Sequence, residues 1–572
     1  MSKKILHRSI CLLLAALTGA AMFGCGKKEK GEHEIEIQYY RSGMGIDWLN
    51  NMKKGFEAAH PGYTVTIEDA AEDVAKNLDA GGDIVTGDLF IGAISWFMSL
   101  VDYLEPLDDI LASVADGGTM TIGEKIYESL NETMKVDGKT YAISWANVPC
   151  GLFYNKTVFD SMGYETPRTS NELIALARTI VSDANGGLIQ VDGKPLKDAT
   201  GATITPTPFI HAFATAPYWE YIWKPWMAQY DGTESYHNTT MATWKDPETN
   251  EEYYPSINAS FTQGRYEALL ALEDTISPKG HTYSRSNSLS HTDSQTFFLN
   301  GYALMTPCGG WLENEMKNSK AKYEIGFMKT PVLSAVGTKL NISEELLREA
   351  VAYVDSADYK AGIVNEESSA YDPAAIRLIK GYTEDSHKDV KGIGISGDGI
   401  LAEIYEDRNI VFNNGSGQRM LMPNYSTRKE EVKMFLQYMF SDEGLRIFMD
   451  STHMPAPGKF EDPSKMDTSG FSSFGNALLD RVENSIFITA SYNCKFYKGN
   501  TFIQEFYKEN PQRLFTPVNA SEQKTAADIW RMEYSAYKES WADACGMLNI
   551  DASATQGTNS VVFYGRANPL DE

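Results

Sequence analysis

Aromatic rings set beside short polar side chains recur along this chain, and that pairing suits holding a ligand more than transforming one. Trp145 and Asn147 share the run "SWANVP", Tyr40, Arg41 and Ser42 follow the first strand-like stretch, and Tyr218, Trp219, Tyr221, Trp223 and Trp226 crowd together. Trp311 closes "TPCGGW" with Glu313 just beyond it, and Asp88 opens "DLFIGA". A polyhydroxylated ligand offers C–H faces for rings to cover and rim hydroxyls for short side chains and carboxylates to pair, so these residues form a coherent candidate set. Arg41 and Arg285 could instead grip a carboxylate on an acidic ligand. The 218–226 cluster has a second reading, because a run of aromatics is ordinarily core. Yet Glu220, Lys224 and Pro225 interrupt it, which is awkward for a buried helix.

Other chemistries find less support. Glycan cleavage needs two carboxylates about 5–10 Å apart. With 77 acidic residues such a pair can always be imagined, but no local motif selects one. Cys150, Cys308, Cys494 and Cys545 show no C-x-x-C spacing, and no dense His, Cys or Asp pattern marks a metal site, so neither metal nor cofactor is expected. Disulfide pairing among those four stays open. The net charge of −26 argues against nucleic acid as a partner.

The elements that must position these residues read as α/β. In 34–69, Ile35 and Ile37 alternate with charges, Trp48, Met52 and Phe56 fall at helical spacing, and His60-Pro61-Gly62 stops the helix before a second strand. That βαβ start implies a parallel sheet covered by helices. A buried strand follows in 81–111, and 138–181 holds two extended runs, a helix ending at Gly163, and a helix introduced by Thr169-Ser170-Asn171-Glu172 in the manner of a capping box. Residues 265–276 read as an amphipathic helix, 334–412 as a polar elaboration without strong period, and 430–460 as a helix pair with a proline stop.

The beginning of the chain reads as an export signal. Lys3, Lys4 and Arg8 precede an apolar run from Ile10 to Phe23, too short for a comfortable membrane span. The stretch "LTGAAMFGC" (17–25) resembles a bacterial lipobox, which implies cleavage before Cys25 and acylation of that residue, with the polar 26–33 as tether.

Taken in order, "GGDIV", "DYLEPLDDIL", "YAISWANVPCGLFYNKTVFDSMGYETPRTSNELIALA", "FLNGYALMTPCGGWLENEM", "YEIGFMKTPV" and "RKEEVKMFLQYMFSDEGLRIF" resemble the extracellular solute-binding proteins of bacterial ABC importers, in the group related to maltose-binding protein. The resemblance implies two α/β lobes joined by a hinge, with ligand in the cleft between them. Lobe one would comprise 34–148 and 413–455, and lobe two 149–412 and 456–572, with 334–412 an insertion. It implies an aromatic platform for a sugar ring at Trp311, and cleft positions at Trp145 and Asn147, where the chain crosses between lobes. A non-catalytic receptor follows, lipid-anchored on the extracytoplasmic face of the cell membrane, passing an oligosaccharide to ABC permease subunits. A peptide, a polyamine or another solute on the same fold is the alternative ligand, and a secreted glycan-active enzyme the less favoured class. Expression of Cys25→Ala with fatty-acid labelling checks the anchor: label is expected on the wild type and absent from the variant.

Overall fold

A computed structural model describes residues 30–571 apart from 71–74, 76–77, 79–84, 95–96, 199, 215–217, 242–243, 246–251, 254–260, 318, 320–322, 357–399, 484, 490–509, 516–522 and 548–562. Cys25 and Cys494 lie outside the described residues. The first lobe begins with β1 (Glu34–Tyr39), where Ile35, Ile37 and Tyr39 are buried in alternation with partly exposed neighbours. Helix α1 (Asp47–Ala59) buries Trp48, Leu49, Met52 and Phe56 and ends at His60. Strands β2 (Thr64–Asp69) and β3 (Leu89–Ala93) then pair with β1 on either side, both parallel. The short β4 (Ile143–Ser144) lies at the far edge, and the chain leaves the lobe through 145–148.

The second lobe opens with β5 (Pro149–Asn155), nearly all of it buried. Helix α2 (Ser170–Asn185) follows; the Thr169 hydroxyl accepts from the Glu172 amide, but Glu172 reaches back to the Arg168 amide rather than to Thr169, so half of the expected capping box forms. Next come β6 (Thr207–Phe209), α3 (Glu220–Asp231), α4 (Gln263–Ile276), β7 (Ala303–Gly309), α5 (Leu312–Glu315) and β8 (Ile325–Phe327). Helices α6 (Glu344–Val354) and α7 (Ile400–Asn409) fall within the stretch expected to be an insertion without strong period. Leu346, Leu347, Ala350, Val351 and Val354 form one buried face of α6, so its 3.6-residue repeat is real and part of it belongs to the main core. Strand β9 (Ile410–Asn413) completes this outward passage, giving the order β6-β7-β5-β9 with β8 also on β5.

The chain then crosses back through 414–417 into β10 (Gln418–Leu421), which inserts between β3 and β4 to give the first sheet the order β2-β1-β3-β10-β4. Helices α8 (Lys429–Met439) and α9 (Asp442–Thr452) pack against α1, with Phe435 against Phe56 and Phe448 against Trp48. Residues 456–465, assigned above to the second lobe, stay on the first: the Glu461 carboxylate accepts from the Thr119 amide and hydroxyl, and the 461 and 462 amides donate to Asp442. A third crossing leads to α10 (Ser473–Glu483) on β8, β11 (Ile486–Thr489) at the edge of the second sheet beside β9, and the long α11 (Ala526–Met547).

Charges are buried in pairs. Helix α3 is enclosed on all faces, and its Glu220 and Lys224 meet at 2.7 Å one turn apart, which resolves the interruption that argued against a buried helix. Arg265 of α4 pairs with Glu533 of α11 at 3.0 Å and lies over the rings of Phe261 and Tyr537, so the C-terminal extension is built into the second lobe. In the first lobe Lys125 meets Asp442 at 2.7 Å. Burial alone would raise the Asp442 carboxyl, but the Lys125 ammonium and the Glu461 and Asp462 amides outweigh it and hold it down to about 2. A depressed carboxyl stabilises the fold above its unfolded value of 3.8, and that contribution is lost as pH falls through the folded value. Asp442→Asn is therefore expected to cost roughly 2 kcal/mol at pH 7. In urea unfolding, the gap between wild type and variant should narrow as pH falls from 4 toward about 2.

Candidate functional site

Parallel strands place ligands beyond their carboxyl ends. In the first lobe β1 runs out into Tyr40 and Arg41 and then a single 3-10 turn, Ser42–Met44. In the second, β7 runs out through Gly309 and Gly310 into Trp311, which caps α5. These two ends meet. A methyl group added at Gly43 would stand 3.1 Å from Cβ and Cγ of Trp311, so glycine is what lets the turn lie against the indole. The Asn314 amide donates to the Gly43 carbonyl at 3.0 Å, and Lys317 reaches Asp47 at 3.1 Å. The lobes are thus closed on each other around Trp311.

Behind that contact stands a shelf of rings. Tyr218 lies 5.7 Å from Trp311 and stacks on Tyr221 at 5.2 Å, and Tyr221 lies 5.1 Å from Phe412 of β9. Burial pushes the Tyr218 and Tyr221 hydroxyls up, so both remain neutral donors across the physiological range. Cys150 and Cys308, on the paired strands β5 and β7, are buried free thiols likewise pushed up by burial, and Cys545 is also a buried free thiol. On the other flank of α5 a separate cavity of about 490 Å³ opens between the lobes. Leu312, Met316 and Phe474 supply apolar lining, while Glu313, Thr452 and His453 supply polar groups. Glu313 accepts there from the Ser472 hydroxyl at 2.8 Å.

The other candidates divide. Asn147 is fully buried in the first crossing, bonded to Asn413. Arg41 is exposed but clamped on Asp69, by Nε at 2.9 Å and by a terminal nitrogen at 2.8 Å. Trp145 is core rather than cleft: it is fully buried inside the first lobe, where its ring stacks on Trp48 at 5.0 Å and meets Tyr39 edge-on. Asp88 precedes β3, at the amino end away from the cleft, and its oxygens take Lys30, the Glu36 amide and Ser426, each at 2.9 Å. Trp219 and Trp223 pack on each other at 5.2 Å within the enclosed α3, so of the aromatic cluster it is Tyr218 and Tyr221 that approach Trp311. Gly43 and Asn314 escaped the sequence reading; neither residue type signals a contact across lobes. Among the described residues no group of three or more His, Cys, Asp or Glu side chains gathers as a metal would require, and no helix is long and apolar enough to cross a membrane.

Two α/β lobes joined by crossing segments are the fold of the substrate-binding proteins of the maltose-binding type. The profile of the bacterial extracellular solute-binding proteins matches residues 45–334, and the chain belongs to that family. Among curated proteins it is 22% identical over 305 residues to the diacetylchitobiose binding protein NgcE of Streptomyces coelicolor, covering 51% of this chain and 55% of that one, so the match spans about half the relative's length. It is 22% identical over 340 residues to the multiple sugar-binding protein of Streptococcus mutans, covering 57% and 70%. Solved structures with the same fold include apo RafE of Streptococcus pneumoniae, with a TM-score of 0.53, 15% identity, and 89% and 100% coverage. The solute receptor AcbH gives a TM-score of 0.54 at 13% identity, covering 89% and 98%.

The Gly43–Trp311 contact gives a direct test of closure. Gly43→Trp, a side chain far larger than the space left beside the indole, is expected to hold the unliganded lobes apart, raising the radius of gyration in solution scattering while leaving the protein folded.

Proposed function

We propose that this protein is a carbohydrate receptor, oligosaccharide being the favoured ligand class, that closes on its ligand and presents it to an ABC permease. The observation that carries this reading is the set of rings at the interlobe contact: Trp311 and Tyr221 are buried there with Tyr218 packed beside them where two strand ends converge, and parting of the lobes would bare their faces and neutral hydroxyls to a ligand. The relatives named for diacetylchitobiose and multiple sugars support the same ligand class. Receptors of this kind hold and release without cutting, so the reading includes no turnover. It also includes the anchor: cleavage before Cys25 and acylation there would keep the receptor on the extracytoplasmic face of the membrane. Peptides and polyamines are less suited, because the rings gathered at Trp311 favour apolar C–H faces, and the charges described nearby, Arg41 with Asp69 and Lys317 with Asp47, are already paired with each other.

Trp311 is expected to be an affinity hot spot. Truncating an aromatic anchor in a desolvated cleft costs roughly 2 kcal/mol or more, about a thirtyfold rise in Kd. Calorimetric titration of Trp311→Ala and Trp311→Phe, beside melts of the unliganded proteins, separates recognition from packing. The alanine variant should bind about thirtyfold more weakly, the phenylalanine variant should recover part of the loss, and the sugar should be recovered uncut after incubation with wild type. Near-normal affinity in a folded Trp311→Ala protein would remove Trp311 from the site.

A further inference from the structure

The first two crossings lie side by side, and side chains rather than a regular ladder hold them together. Asn413, at the end of β9, is fully buried. Its Oδ1 accepts from the Val148 amide at 3.1 Å and the Gly415 amide at 2.8 Å. The single Ser144 hydroxyl proton is shared between the Ala146 and Gly415 carbonyls, 3.0 and 2.8 Å away, and the Asn414 amide donates to the Val148 carbonyl at 2.9 Å. The fit requires glycine at 415, where a Cβ would stand 2.3 Å from the Ala146 carbonyl oxygen.

This arrangement fixes which way two amides point. An oxygen that takes two backbone N–H groups cannot exchange places with an NH₂, so Asn413 must present Nδ2 to its neighbour. That nitrogen donates to Oδ1 of Asn147 at 2.6 Å, which leaves Asn147 with its own Nδ2 on the opposite side. There it is buried and meets no acceptor among the described residues. Gln418, whose carbonyl accepts from the Trp145 amide on the same pair of crossings, likewise has a buried Oε1 without a donor. Among the described protein groups the crossing therefore leaves one donor and one acceptor unmatched, and burying such groups unpaired is costly. A hydroxyl is the group that can both accept and donate.

We propose that Asn413 is a positioning residue that locks the Asn147 amide so that Nδ2 is offered to a hydroxyl oxygen of the bound ligand. The inference rests on the carbohydrate reading above and makes the first crossing part of recognition as well as hinge.

Two isosteric variants isolate the donor. Asn147→Asp still accepts from Asn413 but has no N–H to offer the ligand. Asn413→Asp still accepts from the two backbone amides, and Asn147 can turn its amide over to donate to the new carboxylate, withdrawing Nδ2 from the ligand. Both proteins are titrated with diacetylchitobiose, raffinose and acarbose, and melted without ligand beside Asn147→Ala and the Asn147→Ala/Asn413→Asp double variant. Each aspartate variant buries a carboxylate, Asn147→Asp with a single side-chain donor, and should melt below wild type; titrated while folded, well below its own melting temperature, each should bind about tenfold or more weakly. The double variant should melt lower than its single changes add up to, because the carboxylate introduced at position 413 has then lost its side-chain donor. Affinities within twofold of wild type in both aspartate variants would overturn the ligand contact and leave these groups to water. Additive melting shifts would overturn the lock. Binding of none of the three sugars by wild type would overturn the carbohydrate reading and the ligand contact with it, while the melting cycle would still decide the lock.

Discussion

Strand β9 ends at Asn413 in one sheet, and β10 begins at Gln418 in the other. So short a connection between two sheets forces their edges together at one side and leaves the carboxyl ends of β1 and β7 facing each other at the next. The return strand must also run antiparallel to β3, which is why β10 can fill the gap between β3 and β4 without a covering helix of its own. Hinge and cleft are thus two consequences of one constraint. Motion can occur only where the ladder is interrupted, in the crossings, because each lobe on either side is a packed body.

Each body is packed around an apolar core and also buries charges in matched pairs. Glu220 with Lys224 and Arg265 with Glu533 lie inside the second lobe, and Lys125 with Asp442 inside the first. Removing one member of such a pair leaves the other uncompensated. Burial lowers the Lys224 ammonium, while the adjacent Glu220 carboxylate works against that shift. Trp223 and Phe412 lie against these cations, so ion pairs and aromatic shelf share atoms. The rings that would meet a ligand stand on the same scaffold that holds the buried charges.

Legibility in the sequence followed the range of the interactions. The βαβ start could be read because Ile35, Ile37, Trp48, Met52 and Phe56 carry their periods locally, and the helix stops at His60 and Gly163 are local as well. Trp145 reads as a cleft residue in the sequence and is core in the structure, because its partner Trp48 lies far earlier in the chain and nothing in "SWANVP" points to it. Asp88 looked like a free carboxylate at a strand; Lys30 and Ser426, distant in sequence, make it structural. The 218–226 cluster split between Trp219 and Trp223 in the core and Tyr218 and Tyr221 nearer Trp311, a division set by the helix's surroundings rather than by its composition. The buried face of α6 was hidden by the polar residues around it.

The central claim is that ligand is held between the lobes against Trp311 and its neighbouring tyrosines. A crystal structure of the complete protein grown with a saccharide it binds tests this most directly. The account expects a pyranose face stacked on the Trp311 indole, about 4 Å away, with Tyr218 beside it and the lobes closed. A saccharide bound away from both Trp311 and Tyr218, for instance only in the cavity beyond α5, would contradict it.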